Sequence, residues 1–458
     1  MRRALPAVPD AAPTPAAAPL PWLAGDAQSA VLWCAGRMQT RAEFAARAAA
    51  VAAALPAGAQ AVINLCVGRG AFLAGFAAAL HAGLPTLLLP ARTADALGEV
   101  QHHWPGSVAI CERGGAAGLP ARELPELMRA APAGAPTAHA RLLPDAQVAL
   151  IGHTSGSTGT PQAHRKPLRA LWLSNAANHA RLAAELGPHF NILATVPPQH
   201  MYGIELSVLL PLLGGCAVAD AQPLLPADVA AELARLPPPR LLVSTPLHLR
   251  ALLDAGVALP CEAIASATAP LDAALARAVE RHTGAPLIEV YGSTETCVVA
   301  ARRTACEDWW TPYAGVVLQP QPDGVRVQAP QLPAPLLLGD RMECAADGRF
   351  RLLGRVADLV EIAGKRASLA DLTRRLRAVP GVEDAVLWQQ DAADAAGVHR
   401  LAALVVAPTC SEAQLLAALR AGFDVAFLPR PLRCVPALPR NALGKLPRSA
   451  LEALLRSA

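Results

Sequence analysis

Aromatic side chains make up only 4% of the 458 residues and charged ones only 17%, against 53% hydrophobic residues. The core must therefore be largely aliphatic, and the 43 prolines are expected in loops, where a missing N–H and a fixed φ are tolerated. No Lys/Arg run is long enough to follow a nucleic-acid backbone, and a net charge of +4 is mildly basic, so nucleic acid is not the expected partner. The ten cysteines lie singly, without a Cys-x-x-Cys pair or a histidine cluster. That argues against a zinc site or a disulfide framework and fits reduced thiols in the cytosol. The longest apolar runs, such as 206–219, are short and broken by Pro211, so no membrane span is expected. Met1-Arg2-Arg3 opens like a signal peptide, but five prolines (Pro6 to Pro19) and Asp10 leave no apolar stretch. Residues 1–20 read as a flexible leader.

What the chain does have is a loop-like stretch at 151–167, Ile-Gly-His-Thr-Ser-Gly-Ser-Thr-Gly-Thr-Pro-Gln-Ala-His-Arg-Lys-Pro. It follows the apolar run Val148 to Ile151, which reads as the end of a buried strand, and precedes a helix from about Leu168. Thr154, Ser155, Ser157 and Thr158 offer hydroxyls, and Gly156 and Gly159 let backbone N–H groups turn inward, a composition suited to wrapping a polyphosphate. The plain alternative is a solvated Ser/Gly linker. It is not a Walker A loop: Gly156 and Gly159 are too close and no Lys-Ser/Thr pair follows.

Around this stretch, strand-like and helical segments alternate. Thr40–Ala54 and Ala71–His81 have a helical pattern, and strands are expected at Ala61–Val67, Thr86–Leu89, Asn191–Val196, Ala217–Asp220, Leu241–Ser244, Ala263–Ser266 and Leu287–Val290. This pattern predicts an α/β protein with largely parallel, layered sheets. Gly68-Arg-Gly70 sits at a strand-to-helix turn, but Leu73 occupies the third glycine position of the dinucleotide fingerprint, so a nicotinamide-dependent oxidoreductase is disfavoured. Asp347-Gly348 predicts a hairpin between Met342–Cys344 and Phe350–Leu353. From Arg355 the chain reads as a separate small domain, with strands Ala385–Trp388 and Ala402–Val406 and a helix Glu412–Ala421.

Six stretches, in order, carry a resemblance: the 154–159 loop, Pro197-Pro-Gln-His-Met-Tyr-Gly203, Ser266-Ala-Thr-Ala-Pro270, Tyr291-Gly-Ser-Thr-Glu295, Gly339-Asp340 with Gly354-Arg-Val-Ala-Asp358, and Pro439-Arg-Asn-Ala-Leu-Gly-Lys445. Together they resemble the adenylate-forming superfamily of acyl-CoA synthetases, aryl-acid ligases, luciferases and adenylation domains. The resemblance implies that superfamily's fold: a large N-terminal domain of layered α/β sheets at 21–354, binding ATP and acid, and a small mobile α+β C-terminal domain at 355–458 carrying a catalytic lysine. It implies that Thr154, Ser155, Gly156, Ser157, Thr158 and Gly159 bind phosphate, and that Tyr291 stacks on adenine over the small-residue stretch at Ala267. Thr294 would bind phosphate, Glu295 would hold Mg²⁺, Asp340 and Arg355 would contact ribose or phosphate, and Lys445 would be catalytic. His200, Thr245 and Cys297 would line the acid pocket.

Two departures stand out. Gln162 replaces the usual loop lysine, with Lys166 four residues on as the expected substitute, and Ala357 replaces the usual Asp or Lys pivot between domains. The Pro-Gln-Ala-His-Arg-Lys ending is similar to compact AMP-ligases of bacterial aryl-polyene and xanthomonadin pigment pathways. That implies loading of a small aryl acid onto the phosphopantetheine of an acyl carrier protein, with free coenzyme A as the rival acceptor. No aspartate lies in 197–203 to pair with an ammonium, which disfavours α-amino acids. A catalytically retired nucleotide-binding regulatory protein is the alternative of another class, and retained Glu295 and Lys445 argue against it.

Overall fold

Buried strands with apolar residues on both faces alternate with helices, and this places the parallel sheets. A computed structural model describes residues 18–89, 94–112, 121–125, 141–155, 161–355, 359–362, 365–393, 399–441 and 444–457. Of the stretch 1–20 expected as a leader, residues 1–17 lie outside them. The chain divides into two compact units, the first comprising Met1–Val243, Leu259–Ala263 and Ser293–Val298, the second Ser244–Ala258, Ile264–Gly292 and Val299–Ala458.

In the first unit, one sheet runs in the order Pro161–Pro167, Val148–Ser155, Thr86–Leu87, Ala61–Asn64, Ser107–Cys111, Arg122–Glu123. It is parallel except for the antiparallel edge strand Pro161–Pro167. A second layer pairs Asn191–Ala194 in parallel with both Arg240–Ser244 and Ala217–Ala219; the latter pairs with Ala30–Cys34, which turns back through Arg37–Thr40. Helix Arg41–Ala53 begins where expected because Thr40 caps it: its hydroxyl accepts from Glu43 N and Glu43 reaches back to Thr40 N. Arg41 itself is buried and donates to the carbonyls of Pro211, Ala30 and Cys216, and burial lowers its pKa to about 10.

The second unit contains the parallel pair Ala263–Ser266 and Leu287–Ser293, and the antiparallel sheet Val317–Gln321, Gly324–Gln328, Leu336–Leu338. The expected hairpin is present as Asp340–Cys344 against Phe350–Arg355, with Gly348 at φ 87° in its turn. Strands Asp384–Ala393, His399–Val406 and Leu432–Cys434 form a sheet on which Leu372, Leu376, Leu415 and Leu419 pack. Among the described residues no helix is long and apolar enough to cross a membrane.

Removing the Thr40 cap orphans a first-turn N–H. Thr40→Ala should lower unfolding free energy by about 1 kcal/mol, read as a reduced urea midpoint at unchanged m.

Candidate active site

The stretch expected to be a phosphate-wrapping loop is mostly a β-hairpin. Ile151 pairs with Arg165, Gly152 with His164, His153 with Ala163, Thr154 with Gln162 and Ser155 with Pro161. The reason is backbone satisfaction: polar residues serve an edge strand as well as a loop, and the ladder uses N–H groups that a loop would aim at phosphate. Gly156, Ser157, Thr158 and Gly159 lie outside the described residues, and Thr154 and Ser155 are described only as strand backbone. Period-two alternation sends Arg165 outward, over the Trp104 ring at 5.1 Å, and Lys166 inward. Lys166 is only 5% exposed and its Nζ donates to the carbonyl of Glu295. Lys166, expected as the substitute for the loop lysine, thus points into the protein and holds the Glu295 carbonyl.

That carbonyl belongs to a turn, Thr294 to Thr296, between strands Leu287–Ser293 and Cys297–Arg302. Ser293 and Thr296 close it: Thr296 N donates to Ser293 Oγ, and Ser293 N to Thr296 Oγ1, at 3.2 and 3.1 Å. Gly152 is required beneath it, since a Cβ there would stand 2.7 Å from the Thr294 methyl. Glu295 keeps its side chain 26% exposed, with His164 Nε2 at 3.7 Å. Burial would raise its carboxyl pKa, but hydrogen bonds from Ser293 and from its own backbone, then the charges of His164 and Lys166, bring it below the usual value. An ionised, partly exposed carboxylate suits Mg²⁺, which takes one or two protein carboxylates and otherwise phosphate and water.

Cys297 departs from expectation. It has no accessible surface, so it lines no open pocket, and burial pushes its thiol up to about 12. Its φ of 60° is left-handed, a conformation that costs a non-glycine residue of order 1–3 kcal/mol and persists only where the surroundings enforce it. His200 is exposed at the start of helix Met201–Ile204. Its loop closes tightly, because a Cβ on Gly203 would stand 2.0 Å from the Pro197 carbonyl oxygen.

The remaining candidates lie in the second unit. Tyr291 packs its ring against Trp310 and Phe350, each at 5.7 Å. Ala267 is nearly buried and precedes Thr268, whose φ is 80°. Thr245 is buried as the cap of helix Pro246–Asp254, its hydroxyl accepting from His248 N. Asp340 pairs across its hairpin with Arg355. Ala357 falls outside the described residues. Lys445 is exposed on a loop closed by Asn441, whose Oδ1 accepts from Lys445 N and whose N donates to Lys445 O. Arg440 ties this loop down, donating to Gly444 O at 2.7 Å and bidentately to Asp384. Sequence reading missed the Arg440–Asp384 pair, which only the fold brings together.

Lys166→Met would strip the cation from Glu295 O and from buried Glu205, whose carboxyl feels its charge. Breaking such a buried arrangement should cost roughly 3–5 kcal/mol, read by urea denaturation; a loss confined to ATP affinity would contradict the inward placement.

The Gly68–Gly70 turn is not a dinucleotide site either: Gly68 N and Gly70 N donate to Glu112 and Asp220 carboxylates, both at 2.6 Å. Comparison with known proteins points elsewhere. A family model described as AMP-binding enzyme matches residues 23–328. The chain is 34% identical over 310 residues to a 4-coumarate–CoA ligase of Rhodobacter capsulatus, covering 64% of this chain and 74% of that protein. It is 32% identical over 324 residues to a 4-coumarate–CoA ligase of Halorhodospira halophila, covering 67% and 78%. In fold it matches ATP-bound MatB from Rhodopseudomonas palustris with a TM-score of 0.78 at 21% identity, over 94% of this chain and 96% of that one. With more than half its length matched by the family model, the chain belongs to the AMP-binding enzymes and is an AMP-forming acid–thiol ligase.

Proposed function

We propose that this ligase adenylates a small aryl carboxylic acid with ATP, releases pyrophosphate and passes the acyl group to a pantetheine thiol, working in the cytosol. The observation that carries the reading is the ionised Glu295 on a braced turn beside the hairpin, within a chain that keeps the Lys445 loop. The aryl acid is supported by the two relatives named 4-coumarate–CoA ligase.

The chemistry explains the parts. The acid's carboxylate attacks the α-phosphate, and two like charges about 4 Å apart repel by roughly 4 kcal/mol at an effective dielectric of 20. In our reading Lys445 offsets this repulsion by bridging the attacking oxygen and the α-phosphate. Glu295 would hold Mg²⁺, which would supply charge neutralisation to the pyrophosphate, and Thr294 with residues 154–159 would orient the phosphates. Tyr291 would cover adenine, Ala267 would allow close approach, Asp340 and Arg355 would hold ribose, and His200 would face the acid. The thiol then attacks the mixed anhydride, and AMP leaves.

For the acceptor, the Gln162–Lys166 resemblance favours the phosphopantetheine of an acyl carrier protein, in the manner of aryl-polyene and xanthomonadin ligases. Free coenzyme A is the second reading, favoured by the names of the relatives.

ATP–pyrophosphate exchange across benzoic, cinnamic, short fatty and amino acids tests this. Exchange is expected with an aryl acid, and Lys445→Ala should reduce it by roughly a thousandfold while leaving the melting temperature unchanged. Undiminished exchange in that variant, or exchange confined to amino acids, would contradict the assignment.

A further inference from the structure

One buried carboxylate has no part in the chemistry above. Glu205 is only 2% exposed and is the one charged residue in the mostly apolar run from Tyr202 to Leu213, at the start of a π-helical turn, Glu205–Leu209. A π turn is rare, and many occur at functional sites. Its Oε2 accepts from Ser174 Oγ at 2.6 Å and Asn178 Nδ2 at 3.1 Å, both on helix Leu168–Leu186. Val298 N–H reaches both carboxylate oxygens, at 3.2 and 3.1 Å. Burial pushes its carboxyl up, and the bonds from Ser174 and Val298, then the Lys166 charge, oppose that.

Lys166 and Glu205 therefore hold the turn and the start of the strand that follows it, at two points. Lys166 holds the carbonyl of Glu295, and Glu205 holds the N–H of Val298. Between these anchors stands Cys297 in its left-handed conformation, which the chain would relax if either anchor let go.

We propose that Glu205 is a positioning residue for adenylation: by fixing Val298 it locks the turn that aims the Glu295 carboxylate at the metal–nucleotide. The proposal rests on the reading of Glu295 as the Mg²⁺-binding carboxylate. No proton or electron passes through Glu205; it acts on direction alone.

Calorimetric binding of ATP, with Mg²⁺ and with excess EDTA, tests it without knowledge of the acid. Wild-type affinity should depend on Mg²⁺, and Glu295→Gln should abolish that dependence. Glu205→Gln should weaken Mg²⁺-ATP binding about tenfold while leaving metal-free binding unchanged, the size expected for losing a group that orients a metal ligand. Adding Cys297→Gly, which makes the left-handed conformation free of strain, should restore most of the loss. A purely structural role would lower the melting temperature of Glu205→Gln without moving the Mg²⁺ dependence, and that result overturns the proposal. Should Glu205→Gln not fold, Ser174→Ala removes one donor from Glu205 and should shift the Mg²⁺ dependence in the same direction, by about twofold; no shift overturns the proposal. Mg²⁺-indifferent binding by the wild type, or unaltered dependence in Glu295→Gln, would overturn the reading of Glu295 and the proposal with it.

Discussion

A carboxylate destined for a metal–nucleotide has to stay ionised and point one way, although half its surroundings are protein. In the reading proposed above that requirement falls on the turn carrying Glu295, which residues of the first unit brace. The hairpin Val148–Ser155/Pro161–Pro167 supplies Lys166 to the Glu295 carbonyl, His164 to the carboxylate side, and Gly152 as the gap into which Thr294 packs. The helix after the hairpin supplies Ser174 and Asn178, which fix Glu205, which in turn fixes Val298. The turn is over-determined, and that is what allows Cys297 to remain in a conformation it would otherwise leave.

Periodicity made much of the fold legible. Buried strands such as Ala263–Ser266 read as short apolar runs, and Asp347-Gly348 marked its hairpin because few residue pairs accept that turn. The phosphate stretch read as a loop because hydroxyls, glycines and basic residues suit loops and edge strands alike, and only the pairing partner separates the two. Thr245 and Cys297 were expected in the acid pocket from the resemblance alone; the structure shows the first as a helix cap and the second fully buried. Spacing along the chain cannot report which way a side chain turns.

Glu205 left one signal, a lone carboxylate in an apolar helical run, and that signal is ambiguous without its partners. Its donors come from residues 174, 178 and 298, far apart in sequence. Arg440 is a similar case: its guanidinium donates to Asp384 and to the Gly444 carbonyl, and the pairing partner lies 56 residues away. In both cases a charged side chain holds backbone close to a candidate site residue.

The central claim is that the acid's own carboxylate attacks the α-phosphate, and isotope transfer tests it most directly. The complete reaction would be run with an aryl acid carrying heavy oxygen at both carboxyl positions, and the AMP, pyrophosphate and thioester resolved by mass spectrometry. The account predicts a single heavy oxygen in every AMP formed with a thioester, since the anhydride oxygen departs with the nucleotide, and none in pyrophosphate. Unlabelled AMP, or label in inorganic phosphate released alongside ADP, would contradict it.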